Sequence, residues 1–344
     1  GVIGIVADRD GTVVSENLIG HADVEAGKPI REDNVFWVAS MTKMFTGASI
    51  MMLVDEGKVK LDDPVTKFLP QLDRWQVIAE SDKDHTLLKP VARPVTIRHV
   101  LSHTSGLASQ AELQQVAGAD STSIKARALA SVTGPLQSQP GEKYAYGNQG
   151  MNVAARIIEV VSGMPYEDFL QQRIFDPLGM KETTFWPSDA QIARLANAYG
   201  PNKEKTGYTK ASIFYLTPPY SDRARRFPEA GGGLFSTAHD ILRWGMLLAN
   251  NGELDGKRLL TPAAMDELRK EQTGETHVNY SLGYHLRNGM FGHDGAYGTD
   301  LSVHPGTGMI AIFLVQCSSG DQWEARDNFL KAAAETFEKS GQGR

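Results

Sequence analysis

Ser40-Met41-Thr42-Lys43 opens onto Met44-Phe45-Thr46-Gly47-Ala48-Ser49-Ile50-Met51-Met52-Leu53-Val54, a run that carries no charge before Asp55. Gly57-Lys58 then supplies a helix stop. On the helix this predicts, positions i and i+3 share a face, so the Lys43 amine stands beside the Ser40 hydroxyl. A serine hydroxyl is a weak nucleophile until a neighbouring base takes its proton. Lysine is that base only where burial or nearby charge lowers its pKa. The apolar run supplies the burial, and a serine in a first turn sits where the helix dipole favours developing negative charge. The plainer alternative is an N-cap serine followed by a solvated lysine. Ser-x-x-Lys alone is short enough to arise by chance, so the rest of the chain has to supply the context.

At 344 residues the chain can bury one large core or two lobes. Its composition is ordinary for a globular protein, at 41% hydrophobic and 22% charged. A net charge of −6 gives no basic face, which argues against a nucleic-acid partner. The single cysteine, Cys317, excludes an internal disulfide and follows the apolar run Met309 to Val315, a strand-like setting. No stretch reaches membrane-span length. No signal peptide opens the sequence; it reads as a mature or trimmed form, with a periplasmic or secreted origin favoured over a cytoplasmic one.

Val2 to Ser15 reads as a hairpin about an Asp10-Gly11 turn. Helices are expected at Ile97 to Leu101 behind a Thr96 cap, across Ala108 to Ala130, from about Met151 to Val161, and at Pro165 to Ile174. Further helices are expected from Ser236 to Leu248 and from Pro262 to Lys270, and a last one from about Trp323 to Lys339. Gly200 to Arg226 reads as a long surface excursion. From Tyr280 the pattern turns to strands: Leu282 to Leu286, Met290 to Phe291, Leu301 to His304 and Met309 to Gln316. Strands at both ends with helices between predict an α/β (α+β) fold. Its antiparallel sheet is built from both termini, flanked by helices, with an inserted mostly helical lobe. The expected division is 1–75 with 270–344 for the sheet lobe and 76–269 for the helical lobe.

Other motifs are weak. His99 and His103 are four apart, but the Glu of a His-Glu-x-x-His helix is missing, so the pair reads as structural and no metal is expected. Gly306-x-Gly308-x-x-Ala311 lies between two strand-like runs and reads as a turn, not a dinucleotide loop. There is no Gly-x-Ser-x-Gly elbow.

Three short motifs occur in order: Ser40-x-x-Lys43, Tyr146-x-Asn148 and His293-x-Gly295. Between them lie Leu101-Ser102-His103-Thr104-Ser105-Gly106-Leu107, Pro140-Gly141, Pro177-Leu178-Gly179-Met180 and Gly232-Gly233-Leu234-x-Ser236-Thr237. Together they resemble the serine β-lactamase and penicillin-binding-protein superfamily, in its class C-type branch, which includes family VIII esterases and DD-peptidases. The resemblance covers nearly the whole chain and implies a serine β-lactamase/DD-peptidase-like fold. It implies Ser40 as the acylated nucleophile, Lys43 as its base or proton relay, and Tyr146, phenol or phenolate, as a second proton-transfer group. Asn148 would orient substrate and Lys43, and the strand from His293 to Ala296 would line the site. The backbone N–H groups of Ser40 and Ala296 would form the oxyanion hole, as fixed donors where charge develops. Gly295 would let the backbone come close. No cofactor is implied.

The chain departs from β-lactamases of this branch at the third motif. Where they carry Lys-Thr-Gly, His293 replaces the lysine that attracts the substrate carboxylate, and Asp294 adds an acid if it faces the cleft. Alternate strand residues face opposite sides, so Asp294 points either in or away. The substitution argues for a small-molecule ester, or a neutral or cationic amide, over an anionic β-lactam. The expected activity is a serine hydrolase working through an acyl-enzyme, with a carboxylic ester favoured. A β-lactam, a D-Ala-D-Ala peptide or a D-amino-acid amide is the alternative, and a slowly acylating penicillin- or peptide-binding module is the rival of another class.

Overall fold

The computed structural model describes residues 1–107, 123–213 and 216–341. Its centre is an antiparallel sheet of six strands whose members come from the two ends of the chain. These are β1 (Val2–Ala7), β2 (Val13–Ile19), β3 (His285–Arg287), β4 (Met290–Asp294), β5 (Asp300–Val303) and β6 (Ile310–Val315), in the order β3-β4-β5-β6-β1-β2. The termini meet where β1 pairs with β6, with Val2 opposite Val315 and Ala7 opposite Ile310. The period of two is visible in β1: Ile3, Ile5 and Ala7 enter the main core, whereas Val6 packs on the other face with Ala311, Ala333 and Phe337.

The helix α1 (Thr42–Asp55) is buried from Thr42 through Leu53. A helix apolar on all sides belongs in the middle of a large core, and α1 lies there between α2 (Gln149–Ser162) and the strand β4. On the main-core face of the sheet, α3 (Ala238–Ala249) inserts Ile241, Trp244 and Leu248. On the opposite face lies α4 (Asp321–Lys339), whose Ala333 and Phe337 meet Val6. Among the described residues the expected strands and the other long helices are present with end shifts of a few residues.

Two stretches differ from the sequence reading. Gln76–Ser81 and Thr86–Pro90 form a hairpin where no strand was expected. Every residue of its second strand is exposed, so no buried face marked it in the sequence. Within the expected excursion from Gly200, Tyr208–Ala211 pairs with Ala198–Pro201, and Ile213 and Arg226 are buried. Of the helix expected over Ala108 to Ala130, Ile124–Leu129 is helical behind a Ser123 cap, and 108–122 lie outside the described residues.

Candidate active site

Ser40 sits in a single 3₁₀ turn, Ala39–Met41, that runs directly into α1. Ala39 before it is left-handed, with φ 48°, a strained setting for a non-glycine residue. Val38 N–H reaches Leu234 O at 3.0 Å and Thr42 Oγ1 donates to Ala39 O at 2.7 Å, so neighbours on both sides hold the turn. The Ser40 side chain does not cap the helix: Met41 is the N-cap and no side-chain cap bond is made. That removes the plain N-cap reading.

Lys43 is fully buried, and its Nζ lies 3.0 Å from Ser40 Oγ, 2.7 Å from Asn148 Oδ1 and 2.6 Å from Gly231 O. Burial pulls the amine down to about 7 against the opposing charges of Glu229 and Asp294. A neutral amine has two hydrogens and one lone pair. The two acceptors, Asn148 Oδ1 and Gly231 O, take the hydrogens, which leaves the lone pair for the Ser40 O–H. Gly231 can bring its carbonyl this close because it has no Cβ: one placed there would stand 2.4 Å from Asn148 Cγ.

Tyr146 hydrogen-bonds the Ser40 side chain through its hydroxyl. Its ring centroid is 4.7 Å from Lys43 Nζ. The residue is 43% exposed, because the ring edge forms part of a cavity wall while the hydroxyl turns inward. Burial of that hydroxyl pushes its pKa up more than the Ser40 bond lowers it, so Tyr146 is a phenol at neutral pH. Of the two forms open at the sequence level, the phenolate is disfavoured.

The cavity, about 400 Å³, is lined by Ser40, Tyr144, Tyr146, His285, Arg287, Asp294, Gly295, Ala296 and Trp323. Gly295 N–H is already bonded to Thr299 O at 2.7 Å, so the next donor along the strand is Ala296. A Cβ on Gly295 would fall 2.1 Å from Thr299 Oγ1 and 2.5 Å from Val38 O. Close packing of this strand end on the Ser40 turn therefore requires glycine.

His293 is not brought to the cavity. It is 2% exposed, with Nδ1 2.6 Å from Asp294 O and Nε2 3.0 Å from the Tyr280 hydroxyl. That hydroxyl also lies 3.1 Å from His103 Nε2. A carbonyl only accepts, so Nδ1 of His293 carries the proton and its Nε2 accepts from Tyr280, whose oxygen accepts from His103. Burial holds both histidines well below their ordinary value, hence neutral. The expectation that His293 meets substrate is corrected by strand alternation: the cavity-facing member of the pair is Asp294.

Asp294 is not a free acid either. Arg326 Nη1 reaches Oδ2 at 2.9 Å, while His285 Nε2 and Arg287 Nη2 reach Oδ1 at 3.1 and 3.2 Å. Burial works to raise its pKa, but the His285 hydrogen bond and the Arg287 charge outweigh it and hold the carboxyl well below the usual range. His285, His293 and Asp294 bring ligand atoms within 4.8 Å of one another. Both His293 nitrogens are committed and two guanidiniums crowd Asp294, so this donor set suits a cation poorly. His99 and His103 do not converge: His99 Nδ1 accepts the Thr96 N–H in a helix cap.

Several neighbours of the site gave no signal in the sequence reading. Gly231 lies just outside the quoted Gly232-Gly233 stretch. Glu229, Arg287, Tyr280 and Trp323 arrive from segments that carry none of the three motifs. The strand period marked one of His293 and Asp294 as inward, and only the register decides which.

A family profile described as Beta-lactamase matches residues 3–336. The chain is 29% identical to an uncharacterized protein of Mycobacterium tuberculosis, over 92% of this chain and 85% of that one. It is 30% identical to the lovastatin esterase of Penicillium rubens, over 80% of this chain and 69% of that one. Other relatives carry the names penicillin-binding protein and D-alanyl-D-alanine-carboxypeptidase/endopeptidase. Among solved structures, EstCE1, titled a hydrolase with promiscuous acyltransferase activity, superposes with a TM-score of 0.78 at 21% identity, covering 94% of this chain and 91% of that one. With a profile that spans the chain and relatives named as hydrolases, this protein belongs to the Beta-lactamase family and is a serine hydrolase of that family.

Proposed function

We propose that this protein is a carboxylesterase in which Ser40 is the nucleophile, Lys43 its base and Tyr146 the second proton-transfer group. The observation that carries the reading is the buried Lys43 amine, 3.0 Å from Ser40 Oγ and pulled down to about 7. At neutral pH a large share of it is a free base with its lone pair on the hydroxyl. Lys43 takes the Ser40 proton as Oγ attacks the ester carbonyl, and the oxyanion is met by the Ser40 and Ala296 N–H groups. The C–O bond to the leaving group then breaks. Tyr146, a phenol beside Ser40, delivers a proton to the departing alkoxide and is reprotonated from Lys43. Water enters, gives its proton back along the same path, and releases the acid and Ser40. Asn148 holds Lys43 in register throughout.

An ester with an uncharged acyl group is favoured because the cleft offers no lysine at the third motif and has aromatic wall residues in Tyr144, Tyr146 and Trp323. One observation favours a second reading: the Arg287 side chain, 37% exposed at the cavity wall, could donate to the terminal carboxylate of a D-alanyl peptide. Parallel assays of p-nitrophenyl esters, a chromogenic cephalosporin and D-alanyl-D-alanine peptides decide between them. The expected result is steady ester turnover, lost in Ser40→Ala. Turnover confined to the peptide would establish the second reading, and a burst without turnover would establish a binding module.

A further inference from the structure

Lys43 and Thr46 lie one turn apart on α1, and Asn148 and Asn152 lie one turn apart at the start of α2. The segment from Glu229 to Gly231 runs between them. At the upper level Lys43 meets Asn148 Oδ1 and Gly231 O. At the lower level Thr46 Oγ1 donates to Ala230 O at 2.8 Å, and Asn152 Oδ1 accepts the Ala230 N–H at 3.3 Å. The other end of the same amide, Asn152 Nδ2, donates to Glu229 Oε1 at 3.1 Å. Glu229 is 3% exposed and Asn152 fully buried. A carboxylate is therefore docked in the core about one helical turn below the amine that faces Ser40.

We propose that Glu229 is a positioning residue for the reaction: its buried carboxylate is the counter-charge that sets the protonation balance of Lys43. The inference rests on the reading of Lys43 as the base of Ser40. Burial alone would strip the amine of its proton and leave a base too weak to draw one from serine, since a useful base titrates near the working pH. A negative charge close by restores basicity, and Glu229 is the foremost such charge at Lys43, ahead of Asp294. Asp294 is tied to Arg326, Arg287 and His285, so much of its field at Lys43 is cancelled. Among the described residues, the histidines and tyrosines around Lys43 are uncharged. Burial keeps His103, His285 and His293 deprotonated and keeps Tyr146 and Tyr166 protonated.

The test is the rate at which a fluorophosphonate probe labels Ser40 as a function of pH, in the intact chain. Glu229→Gln keeps the shape and an acceptor for Asn152 but removes the charge. Its acid limb should move to lower pH by on the order of one unit. Glu229→Met removes the charge at similar volume, so its limb should move the same way. Thr46→Val, which loosens the same segment without changing charge, should slow labelling and leave the limb in place. Should Glu229→Gln not fold, Glu229→Met carries the test alone. Labelling with an unmoved limb in the charge variants overturns the role of Glu229. A wild-type protein that is not labelled at Ser40 at any pH overturns the underlying reading instead.

Discussion

At the scale of single residues, the site depends on which groups hold protons at rest. Burial drives Lys43 down to about 7 and Tyr146 up, so near neutral pH a large share of Lys43 is a free amine beside a neutral phenol. The phenol cannot start the reaction as a base, which assigns the first proton to Lys43 and leaves Tyr146 to protonate what departs. Tyr146→Phe should then retain measurable phosphonylation of Ser40, because a fluoride leaving group needs little acid assistance. The same variant should lose about 10²–10⁴-fold in hydrolysis of an alkyl ester, whose alkoxide does need a proton. Stopped-flow labelling beside steady-state ester assays checks this split. An equal loss in both would mean that Tyr146 acts before the leaving group does.

At the scale of elements, β4 and β5 place two acids opposite each other, Asp294 across from Asp300. Asp294 takes the nearer guanidinium contacts, and Asp300, 1% exposed with a Ser302 hydroxyl at 2.8 Å and Arg287 Nη1 at 3.9 Å, is pushed up to about 7 by burial and by the charge of Asp294, against the pull of the arginines. The sign of the consequence follows from linkage. An unfolded aspartate loses its proton near pH 4, the folded one near 7. Across that window the folded state binds more protons, so this group's contribution weakens as pH rises and is level above the folded value. Asp300→Asn carries no such term. Its stability relative to the wild type should therefore improve by about 1–3 kcal/mol between pH 5 and pH 8, as read by urea unfolding. A difference that stays constant over that range would show that Asp300 does not carry a retained proton.

At the scale of the whole molecule, much of the plan was legible. The uncharged run after Lys43 marked the central helix, and the apolar runs at both ends marked a sheet that joins them. Ser40 and Lys43 could be paired because they are local, three residues apart on one turn. What escaped the sequence is long-range. The carbonyl that takes a Lys43 hydrogen comes from Gly231, 188 residues away, and no spacing rule relates the two. At the third motif the resemblance put His293 at the cleft, and a period of two marks which residues alternate without stating which side faces it. The Gln76–Pro90 hairpin was missed because neither face carries a clear apolar stripe. Among the described residues no helix is long and apolar enough to cross a membrane.

The measurement that bears most directly on the account is the pH dependence of the second-order rate at which the fluorophosphonate modifies the protein, with the adduct located by peptide mapping. The account predicts an adduct on Ser40 whose formation rises with pH through a single inflection near the Lys43 value of about 7, and which Lys43→Ala slows by about 10³-fold or more. An inflection close to the ordinary lysine value, or an adduct on another residue, would contradict it.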